Sequence, residues 1–298
     1  MATNPVFNRI DKETQGYAGF GNAPQQSQNP QQHPGYAPQG GPQQGAPMGY
    51  PGPSETMSPQ QLEQMYQQPP AGPAQTGRLT IDDVVMKSMM IFGIVLAFAA
   101  GSWFVVGAQP ELGMPIWMLG MFGSLGLSFA IAFKKTVSVP LIVVHAVLQG
   151  LFLGAVSVTF NSLYNGVVTT AVVATMATAA GMFLAWKIGF IKVTSKSRRI
   201  FGMAAMGYLV FLLVNLGASF MGFGDGWGLF GSQFGWLISI LGVGLASYSL
   251  AVDFDSIDRG VKAGAPEQYS WLMGHGLIAS LVWLYIEFLR LFAILQSD

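Results

Sequence analysis

The chain of 298 residues contains no cysteine and little charge: Asp, Glu, Lys and Arg make up 9% of it, whereas hydrophobic residues make up 51%. The absence of cysteine excludes disulfide bonds, thiolate metal sites and thiol nucleophiles. The scarcity of charge, without long charged tracts, is typical of a membrane protein and not of two soluble domains, which the length alone would allow.

The first 78 residues differ in composition from the rest. They are poor in branched aliphatic residues and contain runs rich in Gln, Pro and Gly, such as NAPQQSQNPQQHPGYAPQGGPQQGAPMGYPGP. Such a segment cannot bury enough apolar surface to offset the entropy of ordering it. We therefore predict a disordered tail over residues 1–78 and a membrane domain over residues 79–298. The start, MATNPVFNRIDKETQ, lacks the apolar core of a cleaved signal, so we expect the first hydrophobic span to insert the chain.

Apolar stretches divide the remaining chain into seven segments, each long enough to cross a bilayer, which takes about 20 residues of helix. Polar connections such as KKTVS, NSLYNG and KVTSKSRR separate them. The sequence thus predicts an all-α membrane protein with seven transmembrane helices. The predicted spans are 86–108, 115–133, 139–160, 167–190, 200–221, 231–253 and 269–295.

Lys and Arg occur on alternate sides of these spans. They lie in or beside the tail and the second, fourth and sixth connections, and the first, third and fifth connections have none. Because basic residues near span ends stay on the cytoplasmic side, we predict a cytoplasmic N-terminus and an outside C-terminus, QSD. A wrong number of spans would scramble this alternation.

Small residues at four-residue spacing predict where helix backbones approach closely, although Gly and Ala are also simply common in membrane helices. They are Gly93, Ala97 and Gly101 in the first span, Ala177 and Gly181 in the fourth, and Gly242 and Ala246 in the sixth.

The last span contains LVWLYIEFLRLFAIL, in which a carboxylate, Glu287, is followed one turn later by a guanidinium, Arg290. A charge at mid-membrane costs about 2.5–3.5 kcal/mol, so an acidic residue inside a span indicates function by default. The structural alternative is that the two side chains, three residues apart on one helix face, neutralise each other and link helices. We favour the functional interpretation.

Two further groups of polar residues need an explanation. In SLAVDFDSIDRG, Asp253 closes the sixth span and would lie inside the bundle if the helix continued by one turn, whereas a solvated loop is the better interpretation for Asp255 and Asp258. His145 and Gln149, four apart in the third span, are candidates for a polar path or for a bridge to a neighbouring helix.

The histidines give little support for a metal site or for a shared site with Glu287. One His without a second His or Cys nearby is poor evidence for a transition metal. His275 precedes Glu287 by twelve residues, about 120° around an ideal helix, so we do not expect the two to share a face.

No enzymatic motif is convincing, and we expect neither an enzyme nor a resident cofactor. GFGD at 222–225 resembles the signature of intramembrane aspartyl proteases, but no earlier span has the acidic partner that must share a proton in that chemistry. No Ser-centred motif marks a nucleophile beside a His and an orienting carboxylate. Phosphate-binding loops and nucleic-acid-binding patches are absent as well.

The closing region, LAVDFDSIDRGVKAGAPEQYSWLMGHGLIASLVWLYIEFLRLFAIL, resembles that of the Bax inhibitor-1 (transmembrane Bax inhibitor motif) family, particularly its bacterial branch with long Gln/Pro/Gly-rich tails. Span number and orientation extend the resemblance to about residues 80–298. It implies a multi-pass protein of the cell membrane that leaks Ca²⁺ in a pH-dependent way. A pair of carboxylates in the sixth and seventh helices would serve as sensor and gate.

By this resemblance, Asp253 takes the first carboxylate role and Glu287 the second, which makes both candidates for sensing Ca²⁺ or protons. Glu stands for the family's Asp, and Arg290 stands where the family commonly has Asn. Relatives carry an Arg near the end of the second helix. This chain has no Arg there, and only lysines, including Lys134, lie close by. Arg290, Asp255 and Lys134 are therefore the further gating candidates.

If Asp253 and Glu287 face each other, their repulsion and burial disfavour double ionisation. A shared proton at lower pH would hold the two helices together, and double ionisation would part them or attract a cation. Ca²⁺ prefers six to eight oxygens, so two carboxylates plus water make a weak site that suits passage. A straight helix from Tyr269 would put Glu287 about 27 Å along its axis, so the contact requires a later start or a break near Gly274.

We therefore expect a pH-sensitive cation leak channel, with Ca²⁺ as the transported ion and with protons and the lipid bilayer as partners. The alternative is a membrane-embedded regulator of a membrane protease or of a stress response, with a protein partner for the N-terminal tail. A proton-coupled transporter is a third candidate.

The predicted topology can be tested by labelling, because an introduced cysteine is the only one in the chain. We expect Asn165→Cys to react with a membrane-impermeant thiol reagent in intact cells and Lys196→Cys to be protected, since the Lys/Arg asymmetry places the third connection outside and the fourth inside. Permeabilised cells, in which both should react, are the control. Equal labelling in intact cells would contradict the topology.

Overall fold

The computed structural model describes residues 77–222, 228–231 and 234–297. Within these ranges, seven helices are long and apolar enough to cross a membrane, which confirms the predicted fold class. The helices are α1 Ile81–Ala108, α2 Gly113–Phe133, α3 Val139–Leu163, α4 Val167–Lys187, α5 Ser195–Phe220, α6 Gly235–Lys262 and α7 Tyr269–Ser297. Short 3₁₀ helices, Pro110–Leu112 and Gly228–Gly231, precede α2 and α6. Nearly all of the predicted disordered tail and most of GFGD lie outside the described residues.

The start of α1 is fixed by local hydrogen bonds and by the connection between α6 and α7. The Leu79 N–H donates to the Ala265 carbonyl at 2.7 Å. Thr80 and Asp83 then form a capping box, in which the Thr80 hydroxyl accepts from the Asp83 N–H at 3.1 Å and the Asp83 carboxylate accepts from the Thr80 N–H at 3.0 Å. These bonds fix residues 79–83 at the start of α1.

α7 lies at the centre of the bundle and packs against α1, α3, α4 and α6. Its buried apolar side chains point in several directions, and they include Leu272, Met273, Leu284 and Leu289. Outer helices instead expose large apolar side chains such as Phe104 and Val173, as is expected of surfaces in contact with lipid.

α6 is longer than the sequence suggests. It continues from Asp253 to Lys262, and its last turn carries Arg259 and Lys262, where positive charge interacts favourably with the helix dipole. The helix stops only where Gly264 adopts a positive φ of 65°. The loop predicted around Asp255 and Asp258 is therefore wrong, because both residues lie on the helix.

α1 and α3 run parallel and approach closely at two glycines of α3. A Cβ atom added at Gly150 would overlap the α1 backbone, and one at Gly154 would overlap the Ala99 carbonyl. In contrast, Gly93 and Gly101 of α1 have open space around them. The contact predicted from the small residues of α1 is thus wrong, and the small residues that permit the approach belong to α3.

The two small residues of α6, Gly242 and Ala246, do lie in packed surroundings. Ala246 is fully buried and packs with Leu250 and Leu284, and Gly242 faces side chains from two other helices. Gly181 on α4 has no atom within 4 Å of an added Cβ, so the close approach predicted there is absent. At Gly242 the atoms nearest an added Cβ belong to the Tyr208 and Glu287 side chains and not to a helix backbone, so the small residue there makes room for side chains.

We expect Gly154→Val to lower the free energy of unfolding by about 2 kcal/mol or more, since the overlapping atoms belong to the α1 backbone and have little room to move. The matched control is Gly181→Val, which makes the same chemical change in open space. Thermal unfolding of the full chain in detergent measures both. Equal destabilisation by the two substitutions would contradict the close α1–α3 approach.

Candidate functional site

Glu287 is fully buried, and three donors surround its carboxylate. The Tyr208 hydroxyl donates to Oε2 at 2.8 Å, Arg290 Nη1 donates to Oε2 at 2.9 Å, and Trp283 Nε1 donates to Oε1 at 2.9 Å. Both oxygens therefore have hydrogen-bond partners, which a buried carboxylate needs. We call these four residues the Glu287 cluster.

Helix periodicity and one glycine explain how the Glu287 cluster forms. Trp283, Glu287 and Arg290 lie four and three residues apart, which places them on one face of α7. Tyr208 reaches them from α5, and Gly242 of α6 lies against the cluster. A Cβ atom at Gly242 would overlap both the Tyr208 hydroxyl and the Glu287 carboxylate, so this position requires glycine.

Arg290 extends the cluster towards the connection between α5 and α6. Its Nη1 also donates to the Tyr208 hydroxyl at 3.2 Å, and its guanidinium carbon lies 4.4 Å from the centroid of the Phe230 ring. Phe230 belongs to the 3₁₀ helix Gly228–Gly231, so a cation–π contact joins this segment to α7. The Glu287–Arg290 ion pair, considered above as the structural alternative, is present.

Asp253 forms a different site nearer the end of α6. The residue is buried, and within the described ranges its Oδ2 has no hydrogen-bond partner. Ser280 on α7 and Arg198 on α5 are its polar neighbours. An unsatisfied oxygen on a buried carboxyl group is costly, so this group differs sharply from Glu287.

Arg198 connects the first turn of α5 to the last turns of α6. It is buried, donates to Asp255 Oδ2 in an ion pair, and lies 3.4 Å from the Ser256 hydroxyl. Arg259 also pairs with Asp255, at 3.1 Å. Sequence reasoning used Arg198 only to orient the protein. The order of the spans could have indicated this contact. Consecutive spans run antiparallel, so the start of α5 lies beside the end of α6.

Asp253 and Glu287 do not meet. The neighbour of Asp253 on α7 is Ser280, seven residues before Glu287 and therefore about 10 Å from it along the axis. The neighbour of Glu287 on α6 is Gly242, eleven residues before Asp253, or about 16 Å. Because α7 is unbroken from Tyr269, the late start or break that contact requires is absent, and the two carboxylates lie at different depths.

The remaining candidates lie apart from both buried groups. Lys134 is exposed at the end of α2, and Asp258 pairs with Lys262 at 2.7 Å on the surface of α6. His145 Nε2 lies 2.8 Å from the Ser128 hydroxyl on α2, so the predicted bridge to a neighbouring helix is confirmed. The His275 ring packs edge-on against His145, with 4.5 Å between ring centroids, on a face of α7 other than that of Glu287.

The described ranges contain no group of three or more His, Asp or Glu placed to hold a metal ion. The fold and the two buried polar groups define the class of protein, a multi-pass helical membrane protein with charge held at two depths. A family model described as Bax inhibitor 1 like matches residues 4–297, and the chain belongs to this family. No curated protein matches it.

We expect Arg290→Gln to destabilise the protein by about 3 kcal/mol, since it leaves the Glu287 charge buried without its cation. The double variant Glu287→Gln/Arg290→Gln should recover most of that loss, because no buried charge remains. Thermal unfolding in detergent compares the two variants with the unmutated protein. A double variant less stable than Arg290→Gln would contradict this account of the cluster.

Proposed function

We propose that this protein is a pH-sensitive cation leak channel, with Ca²⁺ among the ions that pass, and that Asp253 is its sensing carboxyl group. The proposal rests on family membership and on one observation, a buried Asp253 oxygen to which no described residue donates a hydrogen bond. Protons, the transported cation and the bilayer are the partners that this function requires.

Asp253 has the properties of a group that gains from binding a proton or a cation. Its burial makes the ionised form costly, and its Oδ2 offers an acceptor that the described protein atoms leave unused. Ser280 and Ser256 supply further oxygens close to that end of α6. Ca²⁺ prefers six to eight oxygen ligands, so a few protein oxygens completed by water make a weak site, which suits passage.

Arg198 is the natural counter-charge of this site. It is buried on α5 and is a charged neighbour of Asp253 among the residues that the structure describes. Its guanidinium is bound to Asp255 and lies 3.4 Å from the Ser256 hydroxyl, two and three residues after Asp253 on α6. Movement of α5 would carry Arg198 away from α6 and leave Asp253 without this counter-charge, whereas Asp255 would keep its ion pair with Arg259.

Glu287 has a different role in this proposal. Its oxygens already accept from three donors, and its charge is balanced by Arg290, so a cation would have to displace these protein groups to bind there. We assign it to holding α5 against α6 and α7. The carboxylate pair inferred from the family resemblance is thus replaced by a single sensing group, Asp253, with Arg198 beside it.

The sign of the pH dependence follows from these roles. Protonated Asp253 is neutral, is stable when buried and binds no cation, so the closed state is favoured at low pH. The ionised form is favoured at higher pH, where it attracts cations and destabilises the closed packing. We therefore expect the leak to increase as the pH rises.

Purified full-length protein in vesicles loaded with Ca²⁺ tests this proposal when the efflux is measured across a range of pH. Asp253→Asn should abolish the pH dependence and keep the leak at the low-pH level, because the side chain stays neutral. Glu287→Gln should retain the pH dependence even if the rate changes. Asp258→Asn is the matched control, since Asp258 is partly exposed and pairs with Lys262 at the surface.

An unchanged pH profile in Asp253→Asn would remove the sensing role. Vesicles without leak at any pH would favour the other candidate, a regulator that binds a membrane protease or a stress-response partner through its tail. Deleting the tail separates the two functions, because a leak should survive the deletion and regulation through the tail should not.

A further inference from the structure

A cavity of about 760 Å³ lies among α2, α3, α5 and α7, away from Asp253. This volume is within the range of about 300–1,000 Å³ that is typical of sites for small molecules. α2 packs mainly on α3, whereas α5 packs mainly on α6 and on the 3₁₀ helix Gly228–Gly231. The cavity therefore fills a gap between two helices that have little contact with each other.

The cavity is long and opens to the bilayer. On α2 its lining residues run from Met114 to Ser128, which are fourteen residues or about 21 Å apart along the helix. This length exceeds half of the hydrocarbon thickness of a bilayer, which is about 30 Å. Lining side chains such as Phe122, Leu213 and Phe220 are exposed on the surface of the bundle, so the gap between α2 and α5 faces lipid. A molecule with a long hydrocarbon chain can therefore enter from the side and lie along α2.

Most of the cavity wall is apolar. The Trp117 ring centroid lies 6.4 Å from those of Phe152 and Phe160, and the three rings form one part of the wall. Met118 and Met121 also line it, and methionine side chains adapt to irregular shapes because they are flexible. Such a wall accommodates a hydrocarbon body, but the orientation of a ligand is usually fixed by a few polar groups.

Arg290 supplies a polar group of this kind. Among the described residues that line the cavity, it is the charged one. Ile286, one turn before it on the same face of α7, lines the cavity as well. So does Phe230, whose ring centroid lies 4.4 Å from the guanidinium carbon. The Arg290 side chain keeps 18% of its accessible surface, so the guanidinium borders the cavity and is not sealed inside the Glu287 cluster.

Hydrogen bonding leaves part of this guanidinium unused. A guanidinium has five N–H donors, two on each Nη and one on Nε. Arg290 Nη1 donates to Glu287 Oε2 and to the Tyr208 hydroxyl. No described residue accepts a hydrogen bond from Nε or Nη2, and neither atom is fully enclosed by protein. Because arginine stays protonated and has no acceptor, these two atoms can serve a ligand only as donors.

We propose that this cavity binds an uncharged, lipid-soluble carbonyl compound with a long hydrocarbon chain, and that Arg290 donates to the carbonyl oxygen through Nε or Nη2. The chain lies along α2, and the ligand enters from the bilayer between α2 and α5. An uncharged ligand fits because Glu287 already balances the charge of Arg290, so a ligand carboxylate would leave a costly net charge inside the membrane domain. The site is separate from the proposed leak and does not depend on it.

The test uses two matched probes with the unmutated full-length protein in nanodiscs of diether phosphatidylcholine, a lipid without carbonyl groups. The first probe is a long-chain methyl ketone with a diazirine near the end of its chain, and the second is the alkane of the same skeleton with the same diazirine. We expect the ketone to reach half-saturation of photolabelling at about tenfold lower mole fraction, the effect of one hydrogen bond from a charged donor. The labelled peptides should come from α2, α3 and α5.

A second set of nanodiscs, made of diester phosphatidylcholine, separates the proposed ligand from bilayer lipid. The ketone should keep its advantage there, because ester carbonyls stay near the membrane surface. Arg290 lies seven residues, or about 10 Å, before the end of α7. Loss of the advantage in ester lipid would assign the cavity to a bilayer phospholipid and overturn the proposal.

Three variants locate the site. Glu287→Gln/Arg290→Leu removes the donor together with the charge it balances, and it should make the ketone and the alkane equal by weakening only the ketone. Leu213→Trp, at the mouth of the cavity, should weaken both probes, whereas Leu119→Trp, exposed on α2 but outside the cavity wall, should change neither.

Equal saturation by the two probes in the unmutated protein would overturn the proposal, whatever the stability of the variants. A ketone advantage that persists in Glu287→Gln/Arg290→Leu would remove Arg290 as the donor and overturn it too. Labelling that spreads over the lipid-facing surface and ignores Leu213→Trp would also overturn it, since the probes would then be reporting only lipid contact.

Discussion

The need to satisfy one buried carboxylate, Glu287, determines how α5, α6 and α7 are arranged. A charge without hydrogen bonds in an apolar membrane domain is costly, so every donor around it has structural value. Trp283 and Arg290 come from the same helix and need only the correct spacing, but Tyr208 must be brought from α5. Gly242 completes the arrangement, because any side chain there would occupy the space of the carboxylate and the tyrosine hydroxyl.

α5 is held to the bundle mainly by polar contacts, whereas α1, α3 and α7 are held by close apolar packing. Arg198 fixes one end of α5, Tyr208 its middle, and Asn215, which accepts from the Leu229 N–H at 2.6 Å, its other end. Lipid is as apolar as the helix surfaces, so burial alone gives little force for association in a membrane. Between α5 and α2 the bundle leaves a largely apolar cavity of about 760 Å³, lined by α2, α3, α5 and α7.

Composition and charge predicted the seven helices because length and hydropathy are local properties. They did not predict which helix faces meet. Gly93, Ala97 and Gly101 follow one another at the same four-residue spacing as Gly150 and Gly154. Yet an added Cβ would meet the backbone of another helix at the two glycines of α3 and nothing within 4 Å at Gly93 or Gly101. Trp283 could have been predicted from the sequence as a neighbour of Glu287, since it lies one turn before Glu287 on the same helix face. Arg198 and Tyr208 could not be assigned from spacing, because their partners lie on other helices and more than fifty residues away.

The depth of the two carboxylates follows from helix geometry and not from residue type. Family resemblance pairs Asp253 with Glu287, but each residue of an unbroken helix advances about 1.5 Å, and no side chain spans the two turns that separate Ser280 from Glu287. Arg290 removes the need for such contact, because it neutralises Glu287 within its own helix. Of these two carboxyl groups, only Asp253 has an oxygen to which no described residue donates, so a cation has an unused acceptor to bind there and not at Glu287.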